Sequence, residues 1–175
     1  MAHNLLEGKR GIIFGALDEN SIAWKTALAA KAQGATFTLT NAPVALRMGK
    51  INELAAQCNT QVIAADATSV EDLGNLFDQS VEILGGKLDF VLHSIGMSPN
   101  VRKGKEYTSL NYPYLEKTLD ISAISFHKVL QVAWEKDALN EWASVLALSY
   151  IAAQRAFPGY NLSLIHISEP TRRHL

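Results

Sequence analysis

Short apolar runs rich in β-branched residues alternate along this chain with longer amphipathic stretches, the pattern of βαβ units built on a parallel sheet. Strands are expected at residues 10–14 (RGIIF), 36–40 (TFTLT), 61–65 (QVIAA), 88–93 (LDFVLH) and 144–149 (SVLALS). Each is bounded by glycine, asparagine or acidic residues. Helices are expected near residues 21–33, 45–57, 70–84 and 114–136, the last long and amphipathic with Leu115, Leu119, Ile121 and Phe126 among its apolar positions. No internal repeat or low-complexity segment interrupts the alternation. The pattern predicts an α/β doubly wound parallel sheet, Rossmann-like, with a ligand crevice at the carboxyl ends of the strands.

Four motifs fall at those ends. Gly15-Ala16-Leu17-Asp18-Glu19-Asn20-Ser21-Ile22-Ala23 runs from the first strand into the first helix. A glycine there permits a tight turn and close backbone approach, and Ser21 is placed to cap a helix whose free N–H groups attract a pyrophosphate. The G-x-G-x-x-G fingerprint is absent, so a plain strand-to-helix turn is the competing account. Asp66-Ala67 follows the third strand, where a carboxylate either accepts from an adenine amino group or caps the turn before Glu71. His93-Ser94-Ile95-Gly96 follows the fourth, where small residues let a nicotinamide ribose lie against backbone. His93 is read as a satisfied core histidine without a chemical role. Tyr150 and Tyr160 are ten positions apart, with Pro158-Gly159 able to turn the chain between them. A tyrosine can donate a hydrogen bond to a carbonyl oxygen that gains charge during reduction; the alternative is that both rings pack a sheet edge.

Composition narrows the setting. A chain of 175 residues, 48% hydrophobic, suits one domain with a core, and its net charge of −1 gives no reason to expect a nucleic-acid or membrane-surface partner. Cys58 is the sole cysteine, so no intrachain disulfide forms and a reducing compartment is expected. With no signal-like amino terminus and no apolar window of transmembrane length, a soluble cytoplasmic protein is expected.

Taken in order, GALDENSIA, DAT, LHSIG, DISAISF and LSYIAAQRAFPGYN resemble the NADH-dependent enoyl-[acyl-carrier-protein] reductases of bacterial type II fatty acid synthesis, within the short-chain dehydrogenase/reductase superfamily. The last motif is the most specific, because ordinary superfamily members carry Tyr-x-x-x-Lys with a different flank. The resemblance spans residues 6–161. It implies that Gly15, Ser21 and Ile22 contact the cofactor pyrophosphate and that Asp66 and Ala67 hold the adenine. It further implies that Ser94, Ile95 and Gly96 line the adenosine and nicotinamide ribose side, that Ile121 lies near the adenine end, and that Tyr150 and Tyr160 face the acyl thioester. The implied reaction is hydride transfer from NADH to the β-carbon of a trans-2-enoyl thioester on acyl carrier protein, with Tyr160 stabilising the enolate oxygen. The implied parent enzyme is a homotetramer. The second strand ends Thr40-Asn41-Ala42 without the acid that commonly binds a ribose 2′-hydroxyl, and Arg47 follows, so NADPH is the alternative to NADH.

The chain departs from the resembled pattern after Asn161. That pattern is Tyr-x6-Lys, and the position seven beyond Tyr160 is Ile167. Residues 162–175 (LSLIHISEPTRRHL) are similar to a translated sequencing adapter. The expected organisation is therefore a reductase domain over residues 1–161, truncated after its fifth strand, and a non-native tail over 162–175. An unpaired strand edge would then favour aggregation, and the chain would bind NADH weakly without turning it over. A catalytically inactive nucleotide-binding fragment is the alternative function. A 3-oxoacyl reductase is disfavoured by Leu164, which stands where its Tyr-x-x-x-Lys lysine would be.

Overall fold

The computed structural model describes residues 3–149. They fall into two units: residues 3–94 with 128–147, and residues 95–127 with 148–149. The first unit holds the sheet. Its elements are β1 (Arg10–Phe14), α1 (Ile22–Ala32), β2 (Thr36–Asn41), α2 (Pro43–Met48), α3 (Ile51–Cys58), β3 (Val62–Ala64), α4 (Val70–Leu84), β4 (Leu88–His93) and β5 (Leu139–Ala147). All four strand pairings are parallel and the order is β3-β2-β1-β4-β5. This is the doubly wound arrangement expected, with the switch of direction between β1 and β4.

Central position explains the composition of β1. Ile12, Ile13 and Phe14 have no exposed surface, as a parallel strand covered on both faces requires. Gly11 opposes Phe90 of β4, and a Cβ at Gly11 would lie 2.4 Å from the Phe90 ring; the missing side chain is filled by the neighbouring aromatic. In α1 the buried positions are Ala23, Trp24, Ala27 and Ala30. Three small residues and one large one let this helix lie close to the sheet, where they join Phe37, Leu39, Ile51 and Leu54 in one cluster. The opposite face is covered by α4, whose Leu73, Leu76 and Phe77 are fully buried. There Thr38 and Ser80 satisfy each other across a 2.8 Å hydrogen bond.

Local signals fix α4 to the residue. Ser69 Oγ caps the helix by accepting from the Asp72 N–H, and Asp72 Oδ2 reaches back to accept the Asp66 N–H in the preceding turn. At the other end Gly85 adopts φ 72° and its N–H and that of Gly86 close onto Glu82 and Val81. At the amino ends of three strands, Asp89 accepts from the Arg10 N–H, Lys9 Nζ and Asn140 Nδ2. Partial burial raises its pKa, but these bonds outweigh that and leave it lowered.

The second unit begins with α5 (Pro99–Arg102), a single 3-10 turn (Tyr107–Ser109) and α6 (Tyr112–Leu119). A π-helical turn (Asp120–Ile124) then leads into α7 (Ser125–Glu135), whose later residues return to the first unit.

Four expectations on element bounds need correction. The helix expected at 45–57 is two helices, because Gly49 is extended where a Cβ would lie 2.6 Å from the Leu17 carbonyl oxygen. The helix expected at 114–136 starts at Tyr112, capped by Asn111, and is broken by the π turn. The strand expected at 144–149 runs instead over Leu139–Ala147, since a bulge interrupts its register: Leu88 opposes Leu139 but Phe90 opposes Ser144. The strand expected at 61–65 pairs only over Val62–Ala64.

Candidate functional site

Pairing brings the first group of candidate residues together. Phe14 and His93 are register partners, so Gly15 and Ser94 leave adjacent strands side by side at the switch point. Gly15 has φ 86°, a left-handed conformation that glycine adopts without penalty, and its N–H donates to the Thr40 carbonyl oxygen. The loop beyond is held by neighbours on all sides. Asn41 Nδ2 donates to the Ala16 oxygen and the Lys50 N–H donates to the Leu17 oxygen. Within the loop, Asp18 Oδ1 accepts from the Asn20 N–H.

Ser21 occupies the position before α1 but its side chain does not cap the helix. The hydroxyl turns back into the loop, donating to the Asp18 oxygen at 2.7 Å and accepting from the Leu17 N–H. That corrects the expected cap. It also leaves the first-turn N–H groups of α1 without a side-chain acceptor, so the positive end of the helix faces outward beside the Gly15 turn. Ile22, on the first turn, is 62% exposed, an apolar surface next to polar donors. At the end of β2, the buried Thr40 Oγ1 has no hydrogen-bond partner. An open helix terminus, a left-handed glycine and an unmet hydroxyl suit an anionic, hydroxyl-bearing ligand such as a dinucleotide.

Asp66 and Ala67 follow β3, two strands from β1 and so about 10 Å across the sheet at ordinary strand spacing. Asp66 Oδ1 is engaged by the N–H and hydroxyl of Thr68, which realises the turn-capping role, and Ala67 is buried. His93 is 2% exposed with its ring centroid 6.1 Å from that of Phe14. Burial pushes its pKa down to about 4, so near neutrality it is an uncharged core residue, as expected.

Ile95, Gly96 and Ile121 belong to the second unit, where a hydroxyl unites them. Ser122 Oγ accepts from the Met97 N–H at 3.0 Å and donates to the Met97 oxygen at 3.1 Å, tying the π turn to the segment after β4. A Cβ at Gly96 would meet nothing within 4 Å; the backbone there is open to a ligand. Tyr150, Tyr160 and Ile167, together with the boundary at 161, lie outside the described residues.

Two positions escaped the sequence reasoning. Asn41 holds the loop through Nδ2 and accepts the Ala42 N–H at Oδ1, so its amide is spent internally. Gly49 permits the close approach to Leu17. The signal for Gly49 was present in the sequence, as a glycine interrupting an otherwise helical run.

Comparisons with known proteins converge on one family. The family model described as "Enoyl-(Acyl carrier protein) reductase" matches residues 15–167. The enoyl-[acyl-carrier-protein] reductase [NADH] 2 of Rhizobium meliloti is 34% identical over 163 residues, 91% of this chain and 59% of that protein. The Rickettsia bellii enzyme is 33% identical, covering 93% and 61%. The crystal structure of a FabI-NADH complex from Alistipes finegoldii superposes with a TM-score of 0.92 at 63% identity, covering 94% of this chain and 58% of that one. The chain thus spans about three fifths of the length of the curated relatives it matches. With the sheet order, the loop after β1 and the matched residues all in agreement, the chain belongs to the enoyl-(acyl carrier protein) reductase family of short-chain dehydrogenase/reductase folds.

Proposed function

We propose that this chain carries the nucleotide-binding part of an NADH-dependent enoyl-[acyl-carrier-protein] reductase. The whole enzyme would saturate the trans-2 double bond of an enoyl thioester on acyl carrier protein during fatty acid elongation, and would assemble as a homotetramer in the cytoplasm. The observation that carries the proposal is the open amino terminus of α1 beside the left-handed Gly15. Relatives named for NADH, and a similar structure titled as an NADH complex, favour that cofactor over NADPH. Arg47, exposed on α2, keeps NADPH as the competitor.

When bound, the dinucleotide supplies a hydride. The chain's own residues bind and orient. The first-turn amides of α1, flanked by Gly15, Ser21 and Ile22, hold the pyrophosphate, and Asp66 and Ala67 meet the adenine. Ser94, Ile95 and Gly96 present a small-residue backbone to the ribose side, and Ile121 packs at the adenine end. The Tyr160 hydroxyl donates to the thioester oxygen as it becomes an enolate, and Tyr150 faces the same thioester. Oxyanion donors of this kind contribute about 10²–10³ in rate.

Ile167 stands where the resembled pattern has a lysine. An alkyl side chain carries no charge and offers ribose hydroxyls no hydrogen bond, so in this reading the chain binds nucleotide without turning it over. The test is a fluorescence titration with NADH and with NADPH, followed by absorbance at 340 nm with a trans-2-enoyl thioester added. Saturable binding, tighter for NADH, with no oxidation above background is the expected result. Absence of binding defeats the nucleotide site, and steady oxidation of NADH defeats the inactivity.

A further inference from the structure

We propose that Lys128 is a positioning residue for base recognition. Through Thr68 it holds the Asp66 carboxylate so that the site selects a purine with an amino group at C6 over one with an oxo group. The proposal rests on the NADH reading of this chain, within which Asp66 meets the adenine. Lys128 lies two residues past DISAISF, in a helical run whose pattern gives it no chemical role.

The link is a chain of three hydrogen-bonded residues. Lys128 stands in the first turn of α7, and its Nζ donates to the Thr68 carbonyl oxygen at 2.8 Å. Thr68 in turn gives both of its donors, the N–H at 2.9 Å and the hydroxyl at 2.8 Å, to Asp66 Oδ1. Asp66 Oδ2 has no partner among the described residues, so one oxygen is fixed and the other is offered. The surrounding backbone is closed: the Ala65 N–H donates to the Asn41 oxygen, the Asp66 N–H to Asp72 Oδ2 and the Ser69 N–H to the Asp66 oxygen. Lys128 adds a tie from a different element. It is half-buried on a helix whose Val129, Val132 and Ala133 are buried, and it belongs to the first unit together with Asp66 and Thr68.

The chemistry sets the preference. A carboxylate accepts hydrogen bonds and cannot donate them. The 6-amino group of adenine supplies a donor to Oδ2, whereas the 6-oxo group of hypoxanthine sets a second acceptor against it. A site built around one hydrogen bond rejects the analogue that cannot make it. Discrimination also needs the carboxylate to be held, because one that turns freely escapes the mismatch. An ammonium on the Thr68 carbonyl provides that hold with a charge-assisted bond. Lys136 offers a comparison: one residue beyond α7, its Nζ donates to Asp78 Oδ2 on α4 at 2.5 Å, away from the 66–68 turn.

The test titrates the full chain with NADH and with reduced nicotinamide hypoxanthine dinucleotide, which differ at C6 of the base, and follows reduced-nicotinamide fluorescence. Wild type should bind NADH about tenfold more tightly or better. Lys128→Met keeps the stem and removes the donors; it should bring the two affinities within about twofold of each other, chiefly by weakening NADH, while Lys136→Met keeps the wild-type ratio. An unchanged ratio in Lys128→Met, or an equal fall in both variants, overturns the role of Lys128. Urea unfolding checks that each variant is folded. Should Lys128→Met not fold, Thr68→Val, which loses the hydroxyl donor to Asp66, decides by the same ratio: a fall supports the relay and no change overturns it. Wild type that binds both dinucleotides equally removes the Asp66 contact with adenine and the proposal with it, and wild type that binds neither removes the nucleotide site itself.

Discussion

His93 illustrates how a single buried side chain turns into a pH dependence. Its ring lies at the end of β4 against Phe14, 2% exposed, and burial holds its pKa near 4. In the unfolded chain the same imidazole titrates at about 6.5. Between those values the unfolded state binds the proton and the folded state does not, so stability is full above about pH 6.5 and falls as pH drops toward 4. The shift corresponds to about 3 kcal/mol over that window. Urea unfolding of wild type and His93→Gln from pH 4 to 7 should show a steeper decline for wild type. Parallel curves would refute the assignment. Asp89, whose pKa is lowered, contributes in a separate, more acidic window, where protonation weakens its bonds to Arg10, Lys9 and Asn140.

Elements were legible where local chemistry and burial agreed. β1 and β4 are short strands with apolar centres and polar residues near their ends, and α4 has a serine cap and a terminal glycine, so their bounds follow directly from residue order. Tertiary demands were not legible. The break at Gly49 answers to the Leu17 carbonyl, the π turn is clamped by Ser122 to Met97, and the early start of β5 depends on a bulge opposite Asp89. At the candidate site the glycine turn was readable as a motif, but the turning of Ser21 away from its helix depends on Leu17 and Asp18 and leaves no trace in the residue pattern. The β5 bulge also makes a prediction. Trp142 sits there with φ 63° and 93% of its surface exposed, a left-handed conformation that costs a bulky residue roughly 1–2 kcal/mol. Trp142→Asn should raise unfolding stability by about 0.5–1 kcal/mol, since asparagine tolerates that conformation and the exposed indole contributes little packing. A loss of stability in urea would mean that the indole is held by contacts that outweigh the backbone.

At the scale of the whole molecule, the proposed nucleotide binding would be linked to folding. A ligand that binds only the folded chain adds RT ln(1 + [L]/Kd), about 2.7 kcal/mol at a hundredfold excess over Kd. The three tryptophans report the transition unevenly: Trp24 is 1% exposed in α1, while Trp134 and Trp142 are 85% and 93% exposed. A shift in emission on unfolding therefore reports mainly the release of α1, the helix whose amino terminus is proposed to hold the pyrophosphate. Gly15→Val separates the two contributions. A branched side chain at φ 86° strains the turn and costs about 1–3 kcal/mol without ligand. It also displaces the backbone proposed to approach the pyrophosphate, so on that proposal the NADH-dependent increment should vanish while the variant remains cooperatively folded. The expected pattern is a midpoint that rises with NADH for wild type and stays fixed for Gly15→Val. Should both midpoints rise equally, the nucleotide would be bound away from the loop after β1, and the electrostatics of the α1 terminus would have no part in holding it.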